Sequence, residues 1–178
     1  MSTTLPEKPG SPESPGSPAK SLDVSGYSIT RPAWVATASK RAYDLLSTVS
    51  NIALWSPNAI RAQYEDGSGP WAGAWFTGRN RREGTEWDSR SQVQKAERGA
   101  EFTYTVLGSV PVPIVRWRWT FTPYGQGTRS AHTWQLLEAD PVLGTTYAEL
   151  DALRDQTAAS MEDTLVALAG WIADNPAA

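Results

Sequence analysis

The sequence of 178 residues contains no cysteine and a single histidine. Without cysteine there is no disulfide, no thiol nucleophile and no thiolate ligand, so we expect neither a metal site nor another cofactor. No run approaches the roughly 20 apolar residues that a bilayer span needs, and the first residues lack the apolar core of a secretory signal. Nucleotide-binding and nucleophile-elbow motifs are missing as well. We therefore expect a cytoplasmic protein without a transmembrane segment.

Basic residues are too few to favour a polyanionic partner. Lys and Arg number 16 against 19 Asp and Glu, which gives a formal net charge of -3. This balance predicts no nucleic-acid partner. The cluster of Arg79, Arg81 and Arg82 is interpreted as solvated surface, with binding of an acidic ligand group as the alternative. Glu86 and Asp88 are interpreted as surface carboxylates.

The N-terminus differs in composition from the rest of the chain. Prolines recur there at every third position, at Pro6, Pro9, Pro12, Pro15 and Pro18. A period of three is typical of polyproline II, and such a segment has too few apolar residues to form a packed element. We predict a disordered Pro/Gly/Ser-rich tail over residues 1–22, with a docking peptide as the alternative, and one domain over 23–175.

Turn residues divide the body of the chain into short segments of strand character. Residues 24–34 form the first predicted strand, and Thr37 is the predicted N-cap of a short helix that precedes a helical turn over 51–55. The remaining predicted strands cover residues 59–65, 71–80, 85–96, 101–107, 114–122 and 128–137. Their short connections favour an antiparallel meander.

The segment 115–122 has the clearest alternation in the chain. Its apolar positions are Val115, Trp117, Trp119 and Phe121, and polar residues occupy the positions between them. A strict period of two predicts a strand with one apolar and one wet face. The predicted sheet therefore needs a cover over one face.

The C-terminus supplies that cover. Thr146 and Glu149 have the spacing of a capping box, and the helical pattern after them lasts to about Asp174. Apolar residues follow three- and four-residue spacing along one stripe at Leu150, Leu153, Met161, Leu165, Leu168 and Ile172. A helix of about 28 residues spans roughly 40 Å, which is long enough to cross a curved sheet.

Several local motifs resemble those of one superfamily over residues 24–174. The matching segments are Trp55-Ser56-Pro57, residues 73–81, Trp87 with Ser91 and Val93, residues 117–123, and Gly127-Thr128-Arg129. In them the chain resembles small bacterial members of the START, polyketide cyclase/dehydrase and birch-pollen-allergen (Bet v 1-like, SRPBCC) superfamily. The resemblance implies an α+β helix-grip fold. In that fold a curved antiparallel sheet of about seven strands wraps around a long C-terminal helix, and two short helices follow the first strand.

The resemblance also implies a cavity between the sheet and the long helix that holds a hydrophobic or aromatic small molecule, such as a polyketide, a lipid or a related metabolite. The candidate ligand-binding residues are Trp87, Phe102, Tyr104, Trp117, Trp119, Phe121, His132, Trp134, Met161 and Leu165. Core filling is the alternative role for the aromatic rings. Buried Trp and Tyr need hydrogen-bond partners, however, which a ligand or water in a pocket can supply.

The candidates for proton transfer are His132, Tyr104 and Ser91. His132 shares strand parity with Trp134, which places it on the predicted inner face, and its ordinary pKa near 6.5 suits acid/base chemistry. A core histidine bonded to the protein itself is the alternative. Members of the superfamily often carry an acidic residue at this position. A function that depends on that carboxylate is therefore not expected of this chain.

Three functions stay open from the sequence. The first is a binding or carrier domain for a hydrophobic small molecule. The second is a cofactor-independent polyketide cyclase, aromatase or dehydratase that uses the acid/base residues of the cavity. The third is an interaction or stress protein with no ligand. The sequence leaves open whether the protein is an enzyme, and whether it is a monomer or a homodimer.

Deletion of the residues up to Ser21 tests the predicted tail. We expect the free energy of unfolding to change by less than about 0.5 kcal/mol, because a proline-spaced polar segment has no apolar face to dock. Thermal melts of the full-length and truncated chains measure this difference. A melting temperature lowered by more than a few degrees would show that the segment packs on the domain.

Overall fold

A seven-stranded antiparallel sheet organises the computed structural model, which describes residues 22–67 and 69–176. Along the sheet the strand order is β1-β7-β6-β5-β4-β3-β2. The strands are β1 (Ser28–Val35), β2 (Ala59–Tyr64), β3 (Trp75–Arg82), β4 (Thr85–Glu97), β5 (Glu101–Leu107), β6 (Pro113–Tyr124) and β7 (Gly127–Leu136). Residues 1–21 of the predicted tail lie outside the described residues, so the division into tail and domain stays a prediction.

Two short helices follow β1, and one long helix follows β7. They are α1 (Ser39–Ser47), a 3₁₀ helix (Val49–Leu54) and α2 (Tyr147–Asp174), and a further 3₁₀ turn (Glu65–Gly67) follows β2. This order confirms the α+β class and the helix-grip fold. None of the helices in the described part of the chain is long and apolar enough to cross a membrane.

The start of α2 is fixed by the predicted capping box. The Thr146 hydroxyl accepts a hydrogen bond from the backbone N–H of Glu149 at 3.3 Å, and the Glu149 carboxylate accepts from the backbone N–H of Thr146 at 3.0 Å. Two of the N–H groups that lack partners within the helix are thereby satisfied. The capping box sets where α2 begins to cross the sheet.

The predicted alternation of β6 is confirmed. Val115, Trp119 and Phe121 are buried and Trp117 is half-buried, whereas Arg116, Arg118 and Thr122 are exposed. Residues directly opposite each other on neighbouring strands share a face of the sheet, so Trp117 lies beside Trp134 and Trp119 lies beside His132 on β7. The inner face therefore has a dense aromatic centre.

The N-terminal elements differ from the prediction at two points. Strand β1 begins at Ser28 rather than at residue 24, and it continues through Pro32, which is tolerated because β1 pairs only with β7 at the edge of the sheet. Thr37 does not cap α1, whose N-cap is Ala38 with no side-chain bond. The Thr37 carbonyl instead accepts a hydrogen bond from the Thr128 hydroxyl at 2.7 Å, which attaches this turn to β7.

The buried apolar residues form two clusters. The first joins α1 and the C-terminal end of α2 to the sheet through residues such as Tyr43, Phe102, Phe121, Leu165 and Leu168. The second joins the N-terminal half of α2 to the sheet through residues such as Ile29, Trp134, Leu136, Leu150 and Met161. Helix α2 contributes to both clusters, so it connects the two halves of the core.

Three polar side chains converge on Glu101 at the start of β5. Its carboxylate accepts hydrogen bonds from Arg118 at 2.9 Å, from Thr103 at 2.8 Å and from Lys95 at 3.2 Å. The Glu101 side chain is only 13% exposed. The bond from Arg118 is the main cause that lowers the pKa of Glu101 to about 2. This carboxylate therefore links β4, β5 and β6 on the outer face.

Leu168→Ala tests whether α2 closes the sheet. Leu168 is 1% exposed, and we expect its truncation to lower the free energy of unfolding by about 2–5 kcal/mol because it leaves a cavity in the first cluster. Val166 on the same helix is 75% exposed, so Val166→Ala is the matched control with an expected change below about 0.5 kcal/mol. Denaturant melts measure both. Small losses of stability that are equal in the two variants would contradict the packing of α2 in the core.

Glu101→Gln tests the outer-face carboxylate through pH. Because its pKa is depressed in the folded protein, ionised Glu101 stabilises the fold above pH 4.5 and loses this contribution as pH falls toward 2. We expect the variant to be about 1–3 kcal/mol less stable at pH 7 and the difference from wild type to vanish toward pH 2.

Glu97→Gln is the control for the Glu101 experiment, because Glu97 pairs with the same Lys95 but its side chain is 59% exposed. We expect it to change the free energy of unfolding by less than about 0.5 kcal/mol at any pH. Urea melts between pH 2 and 7 measure the two variants and the wild type. A Glu101→Gln difference that stays constant with pH would contradict the assignment.

Candidate functional site

A cavity of about 890 Å³ lies between the inner face of the sheet and α2. Residues from β2 to β7 line it on the sheet side, and residues from Leu153 to Thr164 line it on the helix side. Its lining includes members of both apolar clusters, such as Phe76 and Trp119 from the first and Trp134 and Met161 from the second. The cavity therefore separates the two halves of the core, and its volume suits a small-molecule ligand.

The entrance of the cavity is marked by lining residues that are exposed to solvent. They include Glu83 on the β3–β4 turn, Ser109 on the β5–β6 loop and Val142 on the β7–α2 loop. The buried Asp140 carboxylate holds the two loops together, since it accepts bonds at 2.9 Å from the Ser109 N–H and hydroxyl and from the Val142 N–H. Burial opposes ionisation of Asp140, but these hydrogen bonds hold its pKa below the ordinary value.

Most of the ligand-binding residues predicted from the sequence line this cavity. The structure brings together Trp87, Tyr104, Trp117, Trp119, His132, Trp134 and Met161. Phe102, Phe121 and Leu165 belong to the first apolar cluster, and the lining does not include them. Strand parity places Phe102 and Phe121 on the inner face, and Leu165 is a buried residue of α2. All three lie beyond the cavity, where α1 and the end of α2 pack on the sheet.

The imidazole of His132 lies flat against two indoles. Its ring stacks on Trp119 with 3.8 Å between centroids and an angle of 8°, and on Trp117 with 4.8 Å and 25°. His132 is 6% exposed, and its Nδ1 atom is buried with no hydrogen-bond partner among the described residues. Burial lowers the pKa of His132 to about 3, so the ring is neutral near pH 7.

The other two candidates for proton transfer share the cavity with His132. Tyr104 packs edge-on against Phe76, with ring centroids 5.0 Å apart, and burial raises the pKa of its hydroxyl. Ser91 is almost completely buried and lies directly opposite Val106 in the β4–β5 pairing. The three groups line one cavity, in which the histidine and the tyrosine stay uncharged at neutral pH.

Sequence reasoning missed the polar part of the lining. The Asn80 amide on β3 donates to the Ser89 hydroxyl on β4 at 3.0 Å, and the Asn58 amide donates to the Ser160 hydroxyl on α2 at 2.9 Å. On α2 the lining also contains Thr157 and Thr164. A signal for the helix residues existed, since Thr157 and Thr164 occupy positions of the apolar stripe, where a polar residue is unusual.

Among the described residues, the charged ones that line the cavity lie near its entrance and on β2. They are Arg61, Arg82, Glu83 and Asp88, and all but Arg82 are exposed. The guanidinium of Arg82 lies 5.8 Å from the centroid of the Trp87 ring. Of the predicted basic cluster, Arg79 is paired with Glu86 at 3.1 Å and with Asp88 at 3.0 Å. These ion pairs fit the interpretation of Arg79, Glu86 and Asp88 as charged surface groups.

Comparison with known proteins gives one family match. A family model described as polyketide cyclase / dehydrase and lipid transport matches residues 28–170, which span the sheet and most of α2. No curated protein matches the chain.

Solved structures share the fold at low sequence identity. Protein Ms6760 from Mycobacterium smegmatis is 14% identical with a TM-score of 0.64, over 86% of this chain and 96% of that one. The Polyketide_cyc-like protein Cgl2372 from Corynebacterium glutamicum is 24% identical with a TM-score of 0.56, over 80% and 89%. The di-domain ARO/CYC StfQ from the steffimycin biosynthetic pathway is 19% identical with a TM-score of 0.64, over 84% of this chain and 52% of that protein. These likenesses establish the fold alone.

Proposed function

Because the chain belongs to the polyketide cyclase / dehydrase and lipid transport family, we propose that its cavity binds a hydrophobic or aromatic small molecule such as a polyketide, a lipid or a related metabolite. The observation that carries the proposal is the cavity of about 890 Å³ between the sheet and α2. Large aromatic side chains line it, and they offer flat apolar contact area at a small cost in rotamer entropy.

Several features of the lining support binding as its role. Trp117 is half-buried although it lies at the aromatic centre of the inner face, so part of its ring is free for a ligand. The half-buried polar side chains of Asn58, Asn80, Ser89 and Ser160 line the same cavity as the aromatic rings, which is typical of a pocket that orients a ligand by a few placed hydrogen bonds. A packed core avoids such groups, because burying them is costly.

The second candidate function is a cofactor-independent cyclase, aromatase or dehydratase. It is favoured by the presence of His132, Tyr104 and Ser91 in one cavity and by the family description. General acid/base catalysis works best when the pKa of the catalytic group lies near the working pH. The pKa of about 3 for His132 makes it a weak base at neutral pH, and the raised pKa of Tyr104 leaves that residue as a proton donor at most. Binding is therefore the better supported role.

Titration with N-phenyl-1-naphthylamine, an uncharged fluorescent probe, tests the proposal. We expect saturable binding that quenches the tryptophan fluorescence, and we expect Trp117→Ala to weaken binding by about 1 kcal/mol or more because apolar contact is lost. Trp71→Ala is the matched control, since Trp71 is 51% exposed and does not line the cavity. We expect its affinity to equal that of the wild type.

The outcomes separate the three functions. Absence of saturable binding would contradict the proposal and favour an interaction protein without a ligand. Equal weakening by Trp117→Ala and Trp71→Ala would place the probe outside the cavity. Native mass spectrometry of the purified protein should show a small-molecule adduct for a carrier. Turnover of a poly-keto substrate that His132→Gln and Tyr104→Phe abolish would establish the cyclase instead.

A further inference from the structure

The interior of the cavity offers uncharged hydrogen-bonding groups. Asn80 donates to Ser89 and Asn58 donates to Ser160 through their amide nitrogens, which leaves each amide carbonyl able to accept and each serine hydroxyl able to donate. Tyr104 adds a phenol that burial keeps protonated. A ligand oxygen that enters this part of the cavity therefore meets neutral donors and acceptors.

A charged ligand group would find no counter-ion in the same interior. The charged lining residues of the described chain are Arg61, Arg82, Glu83 and Asp88, two of each sign. Arg61, Glu83 and Asp88 are exposed, and Asp88 is already paired with Arg79. Arg82 is half-buried at the end of β3, next to the exposed Glu83 and with its guanidinium 5.8 Å from the centroid of the Trp87 ring, so it also lies at the entrance. A carboxylate that moves past the entrance thus loses its hydration without gaining a cation, which is strongly unfavourable.

His132 provides a neutral donor in the aromatic part of the lining. Its Nδ1 is buried with no partner among the described residues, and a buried N–H without an acceptor is rarer in proteins than a buried acceptor without a donor. The proton of the neutral ring therefore belongs on Nε2. Since His132 lines the cavity and Nδ1 has no accessible surface, Nε2 is the nitrogen that can serve a ligand.

We propose that the cavity selects a flat, uncharged ligand whose polar group is a hydroxyl or carbonyl oxygen, and that His132 donates a hydrogen bond from Nε2 to this oxygen. The flat shape follows from the half-buried indole of Trp117, whose free part offers planar contact area in the cavity beside the stacked His132. The inference rests on the proposed function and adds to it the charge class of the ligand and the role of the histidine.

Four ligands that share the naphthalene ring test the charge selection at pH 7. They are 2-naphthol, 2-naphthamide, 2-naphthoate and naphthalene itself, each measured by displacement of N-phenyl-1-naphthylamine. We expect the naphthol and the naphthamide to bind with similar affinity and the naphthoate to bind at least about tenfold more weakly. Naphthoate binding as tight as that of naphthol would overturn this inference and leave the proposed function standing. If N-phenyl-1-naphthylamine binds and none of the four displaces it, this inference fails and the proposed function stands; if the probe itself does not bind, the proposed function fails.

His132→Phe tests the role of the histidine. Phenylalanine preserves the stacking on Trp119 and removes the N–H, so we expect naphthol and naphthamide to bind about five- to tenfold more weakly while naphthalene changes less than twofold. Because the Nδ1 atom makes no hydrogen bond that the variant could lose, we expect an unchanged or higher melting temperature. Equal weakening of all ligands, or a lowered melting temperature with unchanged affinities, would show a structural role and overturn the assignment.

Discussion

The packing of α2 across the inner face of the sheet is the interaction on which the rest of this structure depends. Strand β6 places Val115, Trp119 and Phe121 on one face, and water would contact this apolar surface if the helix were absent. The capping box at Thr146 and Glu149 fixes where the helix begins, and its length of 28 residues lets it contribute to both apolar clusters. Closure of the sheet by one helix makes the two apolar clusters parts of a single core.

The cavity results from the way in which α2 packs on the sheet. Helix α2 packs closely through Leu150 near its start and through Leu168 and Ile172 near its end, but its middle turns carry Thr157 and Thr164 toward the sheet. Short polar side chains cannot fill the space that leucines would occupy there. The structure therefore keeps an internal volume between two well-packed regions, and the residues that bound it come from β2 to β7, from α1 and the 3₁₀ helix, and from α2.

Features set by local patterns could be predicted from the sequence, and features set by distant pairings could not. The alternation around Trp117 and the capping box at Thr146 specify a strand and a helix start from a few neighbouring residues, and both are confirmed. The sequence predicts Thr37 as an N-cap, but in the structure its carbonyl accepts a hydrogen bond from Thr128 on β7. Parity placed Phe102 on the correct face without showing that it lies in the core beyond the cavity. The contact between Asn58 and α2 joins residues about a hundred positions apart, so no local pattern could reveal it.

The separation of the core into two clusters also bears on how such a chain can evolve. A side chain that borders the cavity has packed protein neighbours on only part of its surface, so a change in its size disturbs fewer of them than the same change inside either cluster. Substitutions that alter the shape or polarity of the lining can therefore accumulate at a modest cost in stability. The fold can acquire new ligands in this way while the residues that hold the sheet and helix together stay unchanged.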